Sequence, residues 1–570
     1  MSTTETMRES VAGSDEMERN QTGGLLARPW RVFVIVLVLA FLNMAVWSLA
    51  TPLFASPDEP AQVARAVALV HGQLVGRTVK NAGNAITDIT IPKVYAAGPT
   101  YGGCFTFKDT VPASCAGHLT QSKREVRTYT YVGRYPPLYY AIVGLPSLFT
   151  ASSNGIYAMR LTSALLNAVF LALAAFSIAA WSRSRFLLVG LLVAVTPMTY
   201  FLGSVVNPSG LEITSATCLW CAGLVLALER SDKPPPGLVV VVIVSAIALL
   251  LSRALSPLWV LGILLLLALL TGWRGLRALA RARCVRWAVV PLVPVAAFAV
   301  GWIVVAHALD LLPVGIKAKG SGTPLAASIL GDTASWVQQM IGVFGWLDTL
   351  SPLLTYLFWY AAIGLFVLLA LSCARRRHAG ALVLLILAVV FVPVAISYGQ
   401  AHRLGIIWQA RYIMPMAVGV PLVAVALVER SLALRGVRVR VATMVCALLA
   451  VAAFAAFAEA LRRNATGVKG PINYLQGSWQ PPFGASALTI AALVLLALMA
   501  LFVRYLVAVG PLSDDPGPRH EVDLVAPGGP DATSEGGPPP EAGKHVRNDG
   551  ERRSVSVWVQ RDTWNSDLGL

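Results

Sequence analysis

The feature that most constrains this chain is a series of long, nearly uncharged apolar runs. They cover residues 30–50, 156–181, 186–203, 211–228, 238–251, 255–271, 288–309, 352–373, 381–397, 413–428, 441–461 and 488–507, twelve in all. A helix needs about 20 mostly apolar residues to cross the hydrocarbon core of a bilayer. Lipid offers no partners to backbone N–H and C=O groups, so each run is predicted to be a helix. The expected fold class is an all-α polytopic membrane protein with about twelve transmembrane helices. Composition agrees. Of 570 residues, 56% are hydrophobic and 13% charged, against roughly 45–50% and 25% in soluble domains. That excludes an ordinary soluble enzyme, a disordered regulator and a disulfide-rich secreted module.

The net charge is +16, from 45 Lys+Arg against 29 Asp+Glu. The basic clusters are Arg183/Arg185, Arg230/Lys233, Arg274/Arg277/Arg281/Arg283/Arg286, Arg375/Arg376/Arg377 and Arg430/Arg435/Arg438/Arg440, all in alternate loops. The positive-inside rule assigns those loops, and with them both termini, to the cytoplasm. The parity holds only if residues 136–150 stay at the outer membrane edge without crossing. Aromatic–basic interleaving, zinc patterns and helix-turn-helix patterns are missing, so the charge does not point to nucleic acid. Residues 1–29 and 511–570 read as disordered cytoplasmic ends, and the first run reads as a full span rather than a cleaved signal. The transmembrane domain is then 30–510, with long extracytoplasmic segments at 51–135 and 310–350. Loops of that length are usually functional, which puts the chemistry on the outer side. There Cys104 and Cys115 share one loop, where an oxidising exterior permits a disulfide; two free thiols are the alternative. Cys218 and Cys221 lie inside an apolar run and read as packing, not as a metal site.

Few polar residues stand at the outer membrane edge. The first group is Ser56-Pro57-Asp58-Glu59-Pro60. Adjacent carboxylates at a membrane boundary are costly unless paired, hydrated or used. A helix is predicted at residues 61–72, so Asp58 or Glu59 is either a cap on its N-terminus or a catalytic acid. Next comes Arg134 with Tyr135-Pro136-Pro137-Leu138-Tyr139-Tyr140, an aromatic belt or a segment packed on the Asp58 loop. Asn207-Pro208 opens an outer turn that runs to Glu212. Arg253 stands alone between two apolar runs, either snorkelling or meeting an anion. His402 and Arg403 precede Trp408-Gln409-Ala410-Arg411-Tyr412. The planar guanidinium fork suits phosphate, and Arg411 is the preferred phosphate ligand. Its alternative is an ion pair with Asp58, Glu59 or Asp348. Lys317 and Lys319 read as a solvated loop. Walker, zinc-protease and nucleophile-elbow motifs are missing, which leaves a pump or a membrane protease without support.

Taken in order, five groups resemble a bacterial family of membrane proteins of unknown function. They are Pro57-Asp58-Glu59-Pro60 with Arg65, Tyr135 to Tyr140 with Arg160, Asn207-Pro208, Gly345-Trp346-Leu347-Asp348, and Gln409-Ala410-Arg411-Tyr412 with Pro415. That family is common in actinobacteria and in cell-surface polysaccharide loci, and is similar to the GT-C glycosyltransferases. Ala410 departs from a frequent Gly, and Ser252-Arg253 from a common Lys. The resemblance implies a GT-C-like enzyme in a bacterial plasma membrane. It would move a sugar from a polyprenyl-phosphate-linked donor to a cell-envelope glycan, lipid or protein hydroxyl. It implies Asp58 as base, with Glu59 second. Arg411, Arg403 and Arg253 would meet the donor phosphate. Arg65, Arg134, Tyr139, Tyr140, Asn207, His402, Gln409 and Tyr412 would contact substrate. The chemistry fits: a carboxylate accepts the proton of a hydroxyl nucleophile and steadies a cation-like sugar carbon. No cofactor is certain. A divalent cation at Asp58 and Glu59 stays open, although hard cations want more oxygen ligands than these. A transporter or flippase, and a non-catalytic partner in polysaccharide assembly, are the competing readings. Helix interiors nearly free of charge weigh against transport.

Overall fold

A computed structural model describes residues 25–79, 83–229, 233–310, 322–431 and 435–510. The expectations for the two chain ends beyond these limits, for Arg230 and for Lys317 and Lys319 fall outside the described residues. Helix α1 (Pro29–Ala50) begins with proline at its first position, where a missing N–H costs nothing. A loop layer follows. It holds α2 (Glu59–Val70), β1 (Arg77–Thr78), β2 (Thr87–Pro92), β3 (Glu125–Thr130) and α3 (Pro137–Val143). The strands form an antiparallel sheet in the order β1-β2-β3, with Asp88 opposite Tyr129. Nothing in the sequence pattern marks these strands, because β2 is buried on both faces and shows no alternation. Cys104 and Cys115 are joined by a disulfide in the same layer. At seven residues, α3 is too short to cross a bilayer.

The chain then runs through α4 (Ser153–Trp181), α5 (Leu187–Ala194), α6 (Pro197–Gly203), α7 (Pro208–Leu228), α8 (Pro236–Leu250), α9 (Ser256–Arg281) and α10 (Arg283–Val305). Two short helices, α11 (Thr323–Gly331) and α12 (Thr333–Gly342), lead into a hairpin of β4 (Val343–Phe344) and β5 (Thr349–Leu350). Last come α13 (Leu353–Cys373), α14 (Arg376–Leu404), α15 (Met414–Ala417), α16 (Gly419–Glu429), α17 (Arg435–Thr466) and α18 (Ala485–Val509). All twelve apolar runs are helical, and the multi-spanning helical class is what the structure shows. Among the described residues, nine helices are long and apolar enough to cross a membrane by themselves.

The other three runs differ for local reasons. Residues 186–203 split into α5 and α6 because the residue before a proline is pushed out of the helical region, and Thr196 before Pro197 is extended. The run at 238–251 is a helix of 15 residues, α8, and that at 413–428 is divided between α15 and α16. The expected limit at residue 271 is real, since Gly272 interrupts α9 at φ 73°. Conversely, α14 continues past the expected residue 397 to Leu404, where Gly405 at φ 84° ends it.

Helix α7 is the centre of the bundle, with 94% of its apolar window buried. It packs against α4, α8 and α9, and α1 packs along α4. Between helices in lipid the hydrophobic effect gives little, so close packing and buried hydrogen bonds hold the contacts. Asn167 on α4 is one such bond, its Oδ1 accepting from Thr214 of α7 at 2.8 Å. The basic clusters gather at the end where α1 begins. Arg185 donates to the Ala27 carbonyl at 2.8 Å, Arg183 pairs with Glu229 at 3.1 Å, and Arg377 and Arg430 donate to the carbonyls of Leu270 and Leu228. The loop layer occupies the end where α1 finishes.

A fully buried ion pair joins α1, α4 and the loop layer. Arg160 on α4 donates from Nε and Nη2 to the two carboxylate oxygens of Glu59, at 2.7 and 2.6 Å. Its remaining N–H groups donate to the carbonyls of Ser48, Thr51 and Pro52 at 2.7–2.9 Å. Glu59 also accepts from the backbone N–H of Phe54 at 3.0 Å and of Val206 at 3.2 Å. Removing one partner of a buried pair strands the other charge and costs about 3–5 kcal/mol. Arg160→Met is therefore expected to lose most of its folded, monodisperse protein on size-exclusion chromatography. Arg403→Ala, an exposed change, is the control that should behave as wild type.

Candidate functional site

Asp58 directly precedes α2 at φ 63°, ψ −1°, and its side chain makes no capping bond to that helix. The capping reading therefore fails. Aspartate is one of the few residues that tolerates the left-handed region, and the turn aims the carboxylate away from α2. It accepts from the Tyr131 hydroxyl at 2.6 Å and pairs with Arg411. Asn207 caps α7 by accepting from the Ser209 N–H at 3.0 Å. Its Nδ2 donates to the Pro57 carbonyl, also at 3.0 Å, so the start of α7 holds the Asp58 turn.

Asp58 opens on a cavity of about 360 Å³, which Glu212, Arg253, Tyr131, Gln409 and Tyr412 also line. Leu255, Leu309, Ile396 and Ile407 supply an apolar wall. The Asp58 side chain is 24% exposed and that of Arg411 only 2%, so the acid reaches the cavity while Arg411 sits behind it. Arg253 is the arginine on the cavity wall. It donates to Ser209 at 2.9 Å, lies 3.7 Å from Glu212, and stacks 4.6 Å from the Tyr412 ring centre. Ser256 donates to the other Glu212 oxygen at 2.7 Å. Among the described residues, Gln409 Oε1 and Trp408 Nε1 of the lining are buried polar atoms without a hydrogen-bond partner in the protein, and Glu212 Oε2 has only its 3.7 Å ion pair with Arg253.

The electrostatics follow from this crowding. Burial alone would raise the Asp58 carboxyl, but the Arg411 charge, the Tyr131 hydroxyl and the Arg253 charge outweigh it and hold the group below its ordinary 3.8. Burial, and then the Asp58 charge, push the Tyr131 phenol far above its usual range. It stays a hydrogen-bond donor. Burial opposes the charge of Arg253, yet Glu212 and the neighbouring phenols keep it more firmly protonated than an ordinary arginine.

The other expected residues divide sharply. Gln409 and Tyr412 line the cavity. Glu59 does not, since Arg160 and two backbone N–H groups occupy its oxygens. Arg65 clamps the loop layer, donating to the carbonyls of Leu74 at 2.7 Å and Tyr135 at 3.3 Å, and burial pushes its guanidinium down to about 10. Arg134 donates to Thr78 and to the Ala306 carbonyl. Tyr139 bonds Ser163, and Tyr140 donates to Gln62. All four serve the scaffold. His402 and Arg403 are exposed in the last turn of α14, away from the lining. They were expected in a short loop, and the longer helix moves them. Asp348 pairs with Arg463 at 3.1 Å, not with Arg411. Of the polar lining residues, Tyr131 and Gln400 were not singled out beforehand, and Glu212 was noted only as the end of an outer turn. A carboxylate in the second turn of an apolar helix is a signal that could have found Glu212. Tyr131 carries no local mark.

A divalent cation does not fit this set. Glu59 is saturated, and Asp58 faces two arginines, while hard cations ask for six or more oxygens. Among the described residues no group of three metal-binding side chains occurs. A larger cavity, about 540 Å³, opens at the basic end beside Arg183, Arg375 and His378, and it contains none of the Asp58 cluster.

Fold and site together define a multi-spanning helical membrane protein with a buried acid–arginine cluster beside a cavity at one end. Residues 41–420 match the profile of the family described as predicted membrane protein (DUF2142), and the chain belongs to that family. No curated protein matches it. Among solved structures, ArnT from Cupriavidus metallidurans in the apo state is similar at 15% identity and a TM-score of 0.40, over 83% of this chain and 76% of that one. The same protein bound to undecaprenyl phosphate is similar at 14% identity and a TM-score of 0.37, with the same coverage.

Because Arg411 is the largest influence lowering the Asp58 carboxyl, Arg411→Gln should move its titration upward. The protonated-carboxyl infrared band, assigned with Asp58→Asn, would read it. The stabilisation from a lowered aspartate is complete above the ordinary 3.8 and lost as pH falls through the lower folded value. The band should therefore appear at higher pH in the variant than in wild type. Coincident titrations would show that Arg411 does not hold the acid.

Proposed function

We propose that the chain is a membrane glycosyltransferase. In this reading it takes sugar from a polyprenyl-phosphate-linked donor and transfers it to a cell-envelope acceptor, on the extracytoplasmic side of a bacterial plasma membrane. The observation that carries the reading is Asp58, ionised and aimed into a cavity that is apolar on one wall and holds Arg253 on another. The apolar wall suits a prenyl chain, and Arg253 a phosphate at the level where a lipid headgroup lies. The basic clusters at the opposite end support a cytoplasmic placement for that end.

The chemistry is a single displacement. The acceptor oxygen bonds to the sugar carbon, the bond from that carbon to the lipid phosphate oxygen breaks, and the hydroxyl proton passes to Asp58. Arg253 balances the charge that develops on the leaving phosphate. Tyr131 and Arg411 are positioning residues that fix the carboxylate. Glu59 is given the structural role. A transporter is the weaker reading, because Glu59, Arg160, Glu212 and Arg253 all lie toward the Asp58 end rather than at mid-helix.

Asp58→Asn removes the base without changing shape. In the full chain in lipid nanodiscs, transfer from a radiolabelled polyprenyl-phosphate sugar should fall roughly 10²–10⁴-fold, with binding of the lipid phosphate retained. Full transfer in this variant would sink the role given to Asp58. Arg253→Gln should act differently, raising the donor KM by roughly tenfold or more. An unchanged donor KM would remove Arg253 from the phosphate site.

A further inference from the structure

Tyr131 lines two cavities. One is the Asp58 cavity; the other is an open cleft of about 200 Å³ in the loop layer. Small residues make part of its lining, among them Ala61 and Ala64 of α2 and Gly103. Its aromatic members include Tyr129 on β3 and Trp346 in the β4–β5 turn. The Trp346 ring is fixed from two sides. Its Nε1 donates to the Phe54 carbonyl at 3.3 Å, and Phe107 packs edge-on with ring centres 5.4 Å apart. Two rings of the cleft are open to solvent, Tyr129 at 62% and Tyr131 at 43% exposure, as is Phe107 beside Trp346 at 70%, while Tyr95 forms the buried floor. An exposed apolar group of this kind marks a binding surface.

The lining also says what chemistry would bind. Thr106 and Thr128 add hydroxyls, and the lining contains no charged side chain. That disfavours a phosphate headgroup or a charged peptide and favours a neutral ligand with both apolar faces and polar edges. A sugar ring has that form: its C–H face packs on an aromatic π face, and its hydroxyls bond at the rim. The volume is below the roughly 300–1,000 Å³ of a site that encloses a drug-sized ligand, which matches an open seat for one ring of a longer glycan.

Resting on the glycosyl-transfer reading, we propose that this cleft seats the acceptor, and that the acceptor is a neutral carbohydrate. One ring lies against Tyr129 and Trp346, and a hydroxyl is directed past Tyr131 toward Asp58. Donor and acceptor then approach the carboxylate from the two sides of one tyrosine.

The test is binding, read without turnover. The full chain in lipid nanodiscs, free of glycoside detergents that would compete, is titrated separately with cellotetraose, maltotetraose, mannotetraose and undecaprenyl phosphate. Two variants impair the cleft without threatening the fold, one by removing a stacking ring and one by filling the space. Tyr129→Ala removes an exposed ring, and Gly103→Trp fills space where an added Cβ meets nothing within 4 Å. At least one neutral glycan should bind wild type, and both variants should weaken it by roughly tenfold or more. Undecaprenyl phosphate binding should stay within about twofold. The proposal is overturned if wild type binds none of these glycans, or if glycan binding is indifferent to both variants. Failure of the transferase reading shows elsewhere, as undiminished transfer in Asp58→Asn, so the two failures are distinguishable.

Discussion

The Glu59–Arg160 pair is the interaction on which the outer end of this molecule depends. A guanidinium has five N–H donors, and here every one of the five bonds is made inside the protein. Two go to the carboxylate and three to the last carbonyls of α1 and the turn beyond. Helix ends leave such carbonyls without intrahelical partners, and water is the usual remedy. Arg160 supplies the remedy from a neighbouring helix, and Glu59 cancels its charge. The carboxylate then reaches the N–H groups of Phe54 and Val206, so the turn after α1 and the entry to α7 are set by the same side chains.

This arrangement gives two adjacent acids opposite fates. Glu59 turns inward and is consumed by structure. Asp58, one residue earlier, stands on a left-handed backbone and faces the cavity. Around it the charges alternate: Arg411 behind Asp58, and Arg253 beside Glu212. Two acids face two bases, so the cluster is formally neutral before any ligand arrives. Under the proposed transfer, a phosphate would compete with Glu212 for Arg253, and that carboxylate already keeps Ser256 as a second partner.

The helical plan was legible because lipid permits few solutions: an apolar run of sufficient length has little choice but to be a helix. The break at residue 271, where Gly272 interrupts α9, was legible, while the break before Pro197 and the continuation of α14 through Gln400, His402 and Arg403 to Gly405 were not. The site was half legible. Polar residues at an apolar edge pointed to Asp58, Arg253, Gln409 and Tyr412. They could not separate Asp58 from Glu59, because the residue that decides between them, Arg160, is 101 positions away from Glu59. In the proposed reading the phosphate role passes from Arg411 to Arg253, because Arg253 lines the cavity and Arg411 lies behind Asp58. Both are basic at the outer edge, and depth behind the carboxylate is a tertiary fact. The strands and Tyr131 were invisible, since the sheet is short and packed under α2.

The backbone torsion at Asp58 has a consequence for descent. At φ 63° the position admits aspartate, asparagine or glycine with little strain and resists β-branched or bulky residues. Of the three that fit, only aspartate carries a charge. A lineage that kept this fold but abandoned the carboxylate would thus have two easy exits, Asn or Gly. One column of aligned relatives would sort those retaining the acid from those that kept only its turn.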